Sequence, residues 1–260
     1  MATARFMLWS LLCALAPGAL SLSACAKQGP PLKLVQPEPL VAPYPPQADV
    51  LWVVAPLSNE SGTSLVDELA VTDELVNQIQ QAQNVSVLPT NRALAGLRAL
   101  GIPAVRTPEE AIALAAATGA DATLVGTITA WDPYDPPTIG LTVALIPRTA
   151  KMRGGLDPEP VTDPIALRTA TREDTVPAAT PVRPASAVSD LADGANHGVL
   201  AEVQRFAHGR HDDRTAMGWQ IYVKSMRRYT EFVCYRVTKR LLGAEAARLG
   251  VPAVHDKTTQ

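Results

Sequence analysis

His208-Gly209-Arg210-His211-Asp212-Asp213 sets two imidazoles three positions apart and follows them with two carboxylates. On a helix that spacing puts both rings on one face, where their nitrogens and a carboxylate oxygen suit zinc. Gly209 weakens a helix there, so the same residues also read as a polar hinge between two helices. Asp132 and Asp135 bracket a proline-rich turn and are the other pair with acid–base chemistry to offer. General acid–base work needs a buried, shifted carboxylate beside a cleft, whereas aspartates ahead of prolines are ordinary turn formers. A turn is therefore the expected role of this pair. Ser61-Gly62-Thr63 near a helix start offers an anion only a weak site. The chain carries no nucleophile-elbow serine, phosphate-cradling glycine loop or dinucleotide fingerprint. No catalytic residue and no cofactor is implied. A periplasmic metal-dependent hydrolase using His208 and His211 stands as the enzyme alternative.

Leu22-Ser23-Ala24-Cys25 offers a different chemistry, at a thiol. Arg5 supplies a positive start, Phe6 to Leu22 is apolar apart from Ser10, Pro17, Gly18 and Ser21, and small residues precede the cysteine. The segment is too short, and wrongly flanked, for a stop-transfer helix. It resembles the processing site of bacterial lipoproteins, in which the cysteine is diacylated and becomes the first residue of the mature chain. The resemblance implies a signal peptide over residues 1–24, lipidation at Cys25 and a membrane partner reached through it. An ordinary secretory signal with a chance cysteine is the alternative. Each buried methylene adds about 0.8 kcal/mol of membrane affinity, so two or more chains hold a protein at the bilayer. Ala26 follows the cysteine where an aspartate would retain the protein, which by resemblance to enterobacterial sorting favours the outer membrane over the inner, facing the periplasm.

A net charge of −2 over 260 residues gives no nucleic-acid footprint. Of three cysteines, Cys13 lies in the signal and Cys25 is the acylated one, which leaves Cys234 alone and excludes an intrachain disulfide. Cys234 sits in an apolar, helical run and reads as a small buried hydrophobe, with an intermolecular bridge as the alternative.

The elements that must position these residues follow from punctuation and period. Residues 25–48 are dense in proline and read as a tether in extended polyproline II; about twenty such residues reach on the order of 60 Å. An arm packed on the domain is the other reading. An α/β domain is expected over 49–147. Val50–Leu57 is an apolar strand, Ser64 caps a helix to about Ala82, and Asn84–Leu88 alternates as a strand. Thr90 or Asn91 starts a helix stopped by Gly101; Thr107-Pro108-Glu109-Glu110 starts another that ends at Gly119. Asp121–Trp131 and Ile139–Ile146 then form an antiparallel pair around the turn 132–137. The order β-α-β-α-α-β-β gives an α/β fold, a compact mixed-sheet sandwich, followed by an irregular segment and a long C-terminal helix. Residues 148–187 read as an irregular or disordered excursion, 188–250 as a helical C-terminal region with its pattern returning around Ala187–Phe206, and 251–260 as a tail.

Val54-Ala55-Pro56-Leu57-Ser58-Asn59-Glu60-Ser61-Gly62, the long helix after it, and Ala117-Thr118-Gly119-Ala120-Asp121-Ala122-Thr123-Leu124-Val125-Gly126-Thr127-Ile128 resemble a bacterial envelope group. The group comprises the TolB amino-terminal domain, the curli-secretion lipoprotein and lipoprotein activators of peptidoglycan synthases. The resemblance covers Trp52 to Ile146. It implies a fold that binds proteins or assembles into complexes, without catalytic residues. No pair of long amphipathic hairpins of the kind that builds the curli pore is present.

Partner binding then falls to aromatic and basic residues. Trp131 and Tyr134 form a candidate exposed anchor beside the 132–137 turn. Trp219, Tyr222, Met226, Tyr229, Val233, Val237 and Leu241 form an apolar stripe over about six helical turns. Lys224, Arg227, Arg228, Arg236, Lys239, Arg240 and Arg248 lie between them, against Glu231 and Glu245. The stripe either packs on the sheet with its basic face solvated, or docks a partner or second copy, or meets anionic lipid or cell-wall polymer. Trp131, Tyr134, Trp219, Tyr222, Arg227 and Arg228 are the candidate partner-binding residues. The function expected is a non-catalytic scaffold or adaptor in envelope assembly, secretion or cell-wall maintenance, with an envelope protein as partner; a self-assembling structural oligomer is a further alternative.

Overall fold

The computed structural model describes residues 37–153, 183–211 and 215–251. Cys25, the signal and most of the excursion and tail lie outside them. The sheet runs in the order β3-β1-β4-β5-β6, built from β1 (Leu51–Val54), β3 (Ser86–Leu88), β4 (Ala122–Asp132), β5 (Thr138–Pro147) and β6 (Ser186–Asp193). A short β2 (Ser58–Asn59) adds to β4. β1 pairs in parallel with β3 and β4, whereas β4–β5 and β5–β6 are antiparallel, so the sheet is mixed as expected.

Alternation along β1 divides the core into two faces. Trp52 and Val54 point with Leu124, Ile128, Ile139, Leu141, Val143 and Leu145 into the larger core. There α1 (Glu68–Gln80) and α7 (Met226–Arg248) cover them through Leu75, Ile79, Tyr229, Phe232 and Val237. Val53 and Ala55 point the other way, against α2 (Thr90–Leu100) and α3 (Pro108–Thr118) through Ala93, Leu97, Leu114 and Ala115. α3 begins as its sequence dictates: Thr107 Oγ1 accepts from Glu110 N–H and the Glu110 carboxylate accepts from Thr107 N–H, a full capping box. Gly119 ends it at φ +76°, a conformation that costs other residues a Cβ clash. A Cβ on Gly126 would stand 2.7 Å from Leu57 and 2.9 Å from the Thr142 carbonyl, so close packing holds that position to glycine.

Four expectations change. The proline-rich segment is not a free tether throughout: Leu40, Ala42 and Tyr44 are buried in the larger core, and the strand-like bonds Ala42 N–H to Gln83 O and Gln83 N–H to Leu40 O fasten them. Their side chains are apolar enough to pack between the prolines, and Leu40 and Ala42 keep the backbone donors that proline lacks. α1 starts at Glu68, capped by Asp67 rather than Ser64, because Asn59 closes the 59–63 loop by accepting from Ser61 and donating to the Thr63 carbonyl. After a one-turn α4 (Ala150–Arg153), residues 186–193 are the edge strand β6, where a helical pattern is expected from Ala187; helix α5 begins only at His197 (His197–Ala207), capped by Asn196. The C-terminal stripe is broken: a 3-10 turn (Gly218–Gln220) and a short α6 (Ile221–Lys224) precede Ser225, whose extended backbone (ψ 115°) separates them from α7.

The α7 stripe packs on α1, β5 and β6, and the described residues form one unit that includes it. Burial extends well beyond the stripe, to Thr230, Cys234, Thr238, Leu242 and Glu245. Among the described residues no helix is long and apolar enough to cross a membrane.

Candidate functional site

Most basic residues of α7 are engaged rather than merely solvated; Arg227 is the exception among the described residues. Asp190, on the inward face of β6 with its side chain 2 % exposed, accepts from Arg240 at 2.6 Å and lies 3.3 Å from Arg236 Nε. Arg236 Nε is also 2.8 Å from Glu202 of α5. A turn further on, Glu245 is fully buried and accepts from Tyr44, Ser186 and Arg248. One carboxylate thus joins the N-terminal arm, the start of β6 and the end of α7. Desolvation, then the adjacent carboxylate, raises the Tyr44 hydroxyl far above its usual range, so it stays protonated and donates.

Between α5 and α7 the surface opens into a cleft of about 330 Å³. Phe206, Phe232 and Tyr235 form its apolar lining, and Arg205, Arg210, Arg236, Lys239 and Arg240 bring positive charge, against Glu38 and Glu202. Arg210 lies 4.1 Å over the Phe206 ring and 5.0 Å from that of Tyr235, and donates to the Phe206 carbonyl at 2.8 Å. Burial lowers its pKa from the usual arginine value, because desolvation disfavours the charge. Glu38, on the arm, accepts from Lys239 at 2.8 and 2.9 Å.

The residues singled out in the sequence fall into different places. Tyr134 is 73 % exposed, but Trp131 is half-buried against the larger core, so the two do not form one exposed anchor. Asp132 accepts from Tyr134 N–H, and Asp135 pairs with Lys224, which fits the turn reading of both acids. Trp219 is half-buried against the same core. Tyr222 is 1 % exposed, its ring edge-on to Phe206 at 5.4 Å, and it presents almost no surface to a partner. Arg228 lies 5.7 Å above the Tyr222 ring and pairs with Glu231, so those two are brought together, while Arg227 is exposed. His208 is exposed, and His211 has Nδ1 2.9 Å from the Ala207 carbonyl and its ring against Tyr222. The segment is a helix end rather than a two-histidine helical face, because Gly209 takes a positive φ of 81°. Among the described residues no group of three or more histidines, cysteines or acids could hold a metal; Asp212 and Asp213 lie outside them. The cleft itself was not singled out in the sequence. Phe206 four residues before Arg210, and Arg236 four before Arg240, are the signals that mark it.

No protein family matches the chain, and no curated protein matches it. Among solved structures it is similar to LpoB of Escherichia coli, at 17 % identity over 42 % of this chain and 51 % of that one, with a TM-score of 0.33. It is similar also to lipoprotein GNA1162 of Neisseria meningitidis, at 15 % identity over 58 % and 88 %, with a TM-score of 0.34. A third is the PelC dodecamer of Paraburkholderia phytofirmans, at 12 % identity over 83 % and 94 %, with a TM-score of 0.33. The chain spans about half the length of the Escherichia coli LpoB structure. The resemblance read from the Val54–Gly62 and Ala117–Ile128 motifs is met in this set. At TM-scores near a third the overlaps carry nothing about what this chain binds.

Proposed function

We propose that the chain is an envelope lipoprotein, anchored through Cys25 and facing the periplasm, with the outer membrane favoured. In this reading it is a non-catalytic adaptor or scaffold that presents its α/β domain to an envelope protein or to further copies of itself. The observation that carries the reading is how the anchor segment enters the fold. Leu40, Ala42 and Tyr44 are packed into the core, and Tyr44 is tied to Glu245 near the C-terminal end of α7. From Cys25 to Leu40 the chain can reach at most about 50 Å, so an acylated Cys25 would hold the domain close to the bilayer. Exposed Tyr134 and Arg227 are the partner-contact candidates that remain on the surface. The test is in-cell crosslinking and capture of the native protein beside a Cys25→Ala variant, with fatty-acid labelling of both. Label on the native protein alone, together with a specific envelope protein or self-crosslink dependent on the anchor, is the expected result. Absence of label from the native protein removes the anchor, and absence of any crosslinked species removes the adaptor.

A further inference from the structure

The cleft between α5 and α7 holds more donors than its own acids use. Arg236 is nine-tenths buried, its side chain 10 % exposed, and it lines the cleft. Its Nε is close to Asp190 and Glu202 but makes no well-directed hydrogen bond to either, and among the described residues Nη1 has no hydrogen-bond partner. A buried donor left unmade is costly, and a guanidinium more so than a neutral amide. Arg210 stands on the apolar side of the same cleft, over Phe206 and Tyr235. Among the described residues it has a backbone carbonyl as its acceptor and no carboxylate in an ion pair. Arg205, exposed on α5, donates only a long 3.4 Å bond to the Ala201 carbonyl.

We propose that this cleft is an oxyanion site that takes a phosphate group, either of a small phosphate ester or of a lipid headgroup. Guanidinium forks line it from α5 and the turn after it, through Arg205 and Arg210, and from α7, through Arg236 and Arg240. Planar forks match phosphate oxygens two at a time, and a phosphate offers more acceptor oxygens than a carboxylate to donors arriving from two sides. The rings of Phe206 and Tyr235 exclude water behind Arg210, which strengthens its attraction for an anion. Glu38 is the internal competitor: its carboxylate already sits on Lys239 at the rim, so a bound phosphate displaces it. Glu38 also lies where the arm leaves the fold toward Cys25. That places headgroups within reach, a point that rests on the anchor reading, whereas the site itself does not.

The mature protein as purified, in a neutral detergent, is titrated calorimetrically at constant ionic strength with sn-glycerol 3-phosphate. Separate titrations use micelles doped with phosphatidylglycerol or with phosphatidylcholine. Saturable one-to-one binding is expected, weakened at least tenfold by Arg210→Gln and by Arg205→Gln. Arg205 is at the surface, so its variant is expected to keep the wild-type urea midpoint and to separate lost binding from lost folding. Glu38→Gln is expected to tighten binding severalfold. Binding of glycerol phosphate assigns a soluble ester; binding of phosphatidylglycerol alone, with the same dependence on Arg210, assigns a headgroup. The proposal is overturned by absence of saturable binding to both, by binding that ignores both arginine substitutions, or by equal affinity for a glutamate-rich peptide. Failure of Cys25 labelling would remove the anchor and leave the calorimetric result standing.

Discussion

Tyr44 and Glu245, 201 positions apart, share a 3.0 Å hydrogen bond in the interior, and through it the N-terminal arm is fastened to the last turn of α7. Glu245 is satisfied from three further donors on Ser186 and Arg248, so the bond belongs to a complete network rather than an isolated pair. Tyr44→Phe removes one donor from a buried carboxylate and is expected to cost about 1–3 kcal/mol. The check is the urea midpoint, with an unchanged slope showing that the denatured state is unaffected. The hydroxyl also carries a pH signature. Its folded pKa is raised above the usual 10.0, first by burial. Its contribution is therefore fully present below pH 10 and declines as pH rises beyond it. Tyr44→Phe should flatten that alkaline decline, leaving the parts due to Tyr229, Tyr222, Tyr235 and the Cys234 thiol, whose pKa values burial also raises.

Asp190 supports two arginines, and removing it leaves the buried Arg236 with the partly exposed Glu202 as its remaining carboxylate. Asp190→Ala is expected to destabilise by about 3 kcal/mol, at the low end for a broken buried pair because Arg240 reaches solvent. The pair Asp190→Leu with Arg236→Leu should recover much of that loss, since well-packed apolar groups often replace buried ions without penalty. Denaturation of the two single variants and the double variant measures the coupling; strict additivity would show that Asp190 and Arg236 act independently.

Asp121 governs the acid side. Its carboxylate accepts from Leu51 N–H at 3.0 Å and from Lys151 at 3.1 Å, clamping the start of β1 to that of β4. Burial pulls its pKa upward, but these bonds outweigh it and hold the group below the ordinary 3.8. The stabilisation is thus present above that value and is lost as pH falls through the lower, folded one. Asp121→Asn is expected to cost about 1–2 kcal/mol at neutral pH. The gap from wild type should close as pH falls through the folded pKa, which lies below 3.8. Urea midpoints across pH 2–7 test it, and a gap that stays constant would exclude ionisation as its source.

Much of the first half of the fold was legible because its signals are local. The Thr107 capping box, the left-handed glycines at 101 and 119 and the prolines after β1 and β3 each act within a few residues. They marked the element order up to β5 apart from the two-residue β2, which no local signal sets off from the loop around it. β6 escaped because its inward positions are Ser186, Val188, Asp190 and Ala192. Two of those four serve the arginine and glutamate network of α7, so the apolar alternation that marks a strand is replaced by polar partners chosen across the fold. α7 was legible in part: its stripe packs on the sheet, one of the three readings left open in the sequence, but arm, α1 and β6 enclose it on several sides. No periodicity along the helix distinguishes that enclosure from a docking face. The cleft needed Glu38, Arg210 and Arg236 to meet from three distant stretches: the Phe206–Arg210 and Arg236–Arg240 spacings mark its two walls separately, and no local pattern announces that the walls meet.

Gly126 tests the close contact between β4 and its neighbours. Gly126→Ala would press its methyl group on the Thr142 carbonyl, a backbone atom fixed by the β4–β5 ladder, and on Leu57. A loss of about 1–3 kcal/mol is expected from overpacking. Leu57→Ala relieves only the side-chain part of that clash. The double variant should therefore remain less stable than Leu57→Ala alone, measured by thermal or urea unfolding; equality would show that the carbonyl contact yields freely.

Cys234 gives a readout that joins the fold to the anchor. The thiol is wholly buried, its Sγ 3.9 Å from the Val71 carbonyl, and desolvation raises its pKa well above 9.0. Native protein should resist a maleimide, because labelling requires the α1–α7 packing to open, and the rate should follow global unfolding. In guanidinium chloride the processed, acylated chain should take up one equivalent, at Cys234. In the proposed lipoprotein Cys13 would leave with the signal, and the Cys25 sulfur would be blocked by its lipid. Two equivalents on denatured protein from membranes, counted by mass spectrometry, would mean that Cys25 carries a free thiol. That result would sink the lipid anchor while leaving the burial of Cys234 intact, since native and denatured labelling report on the two separately.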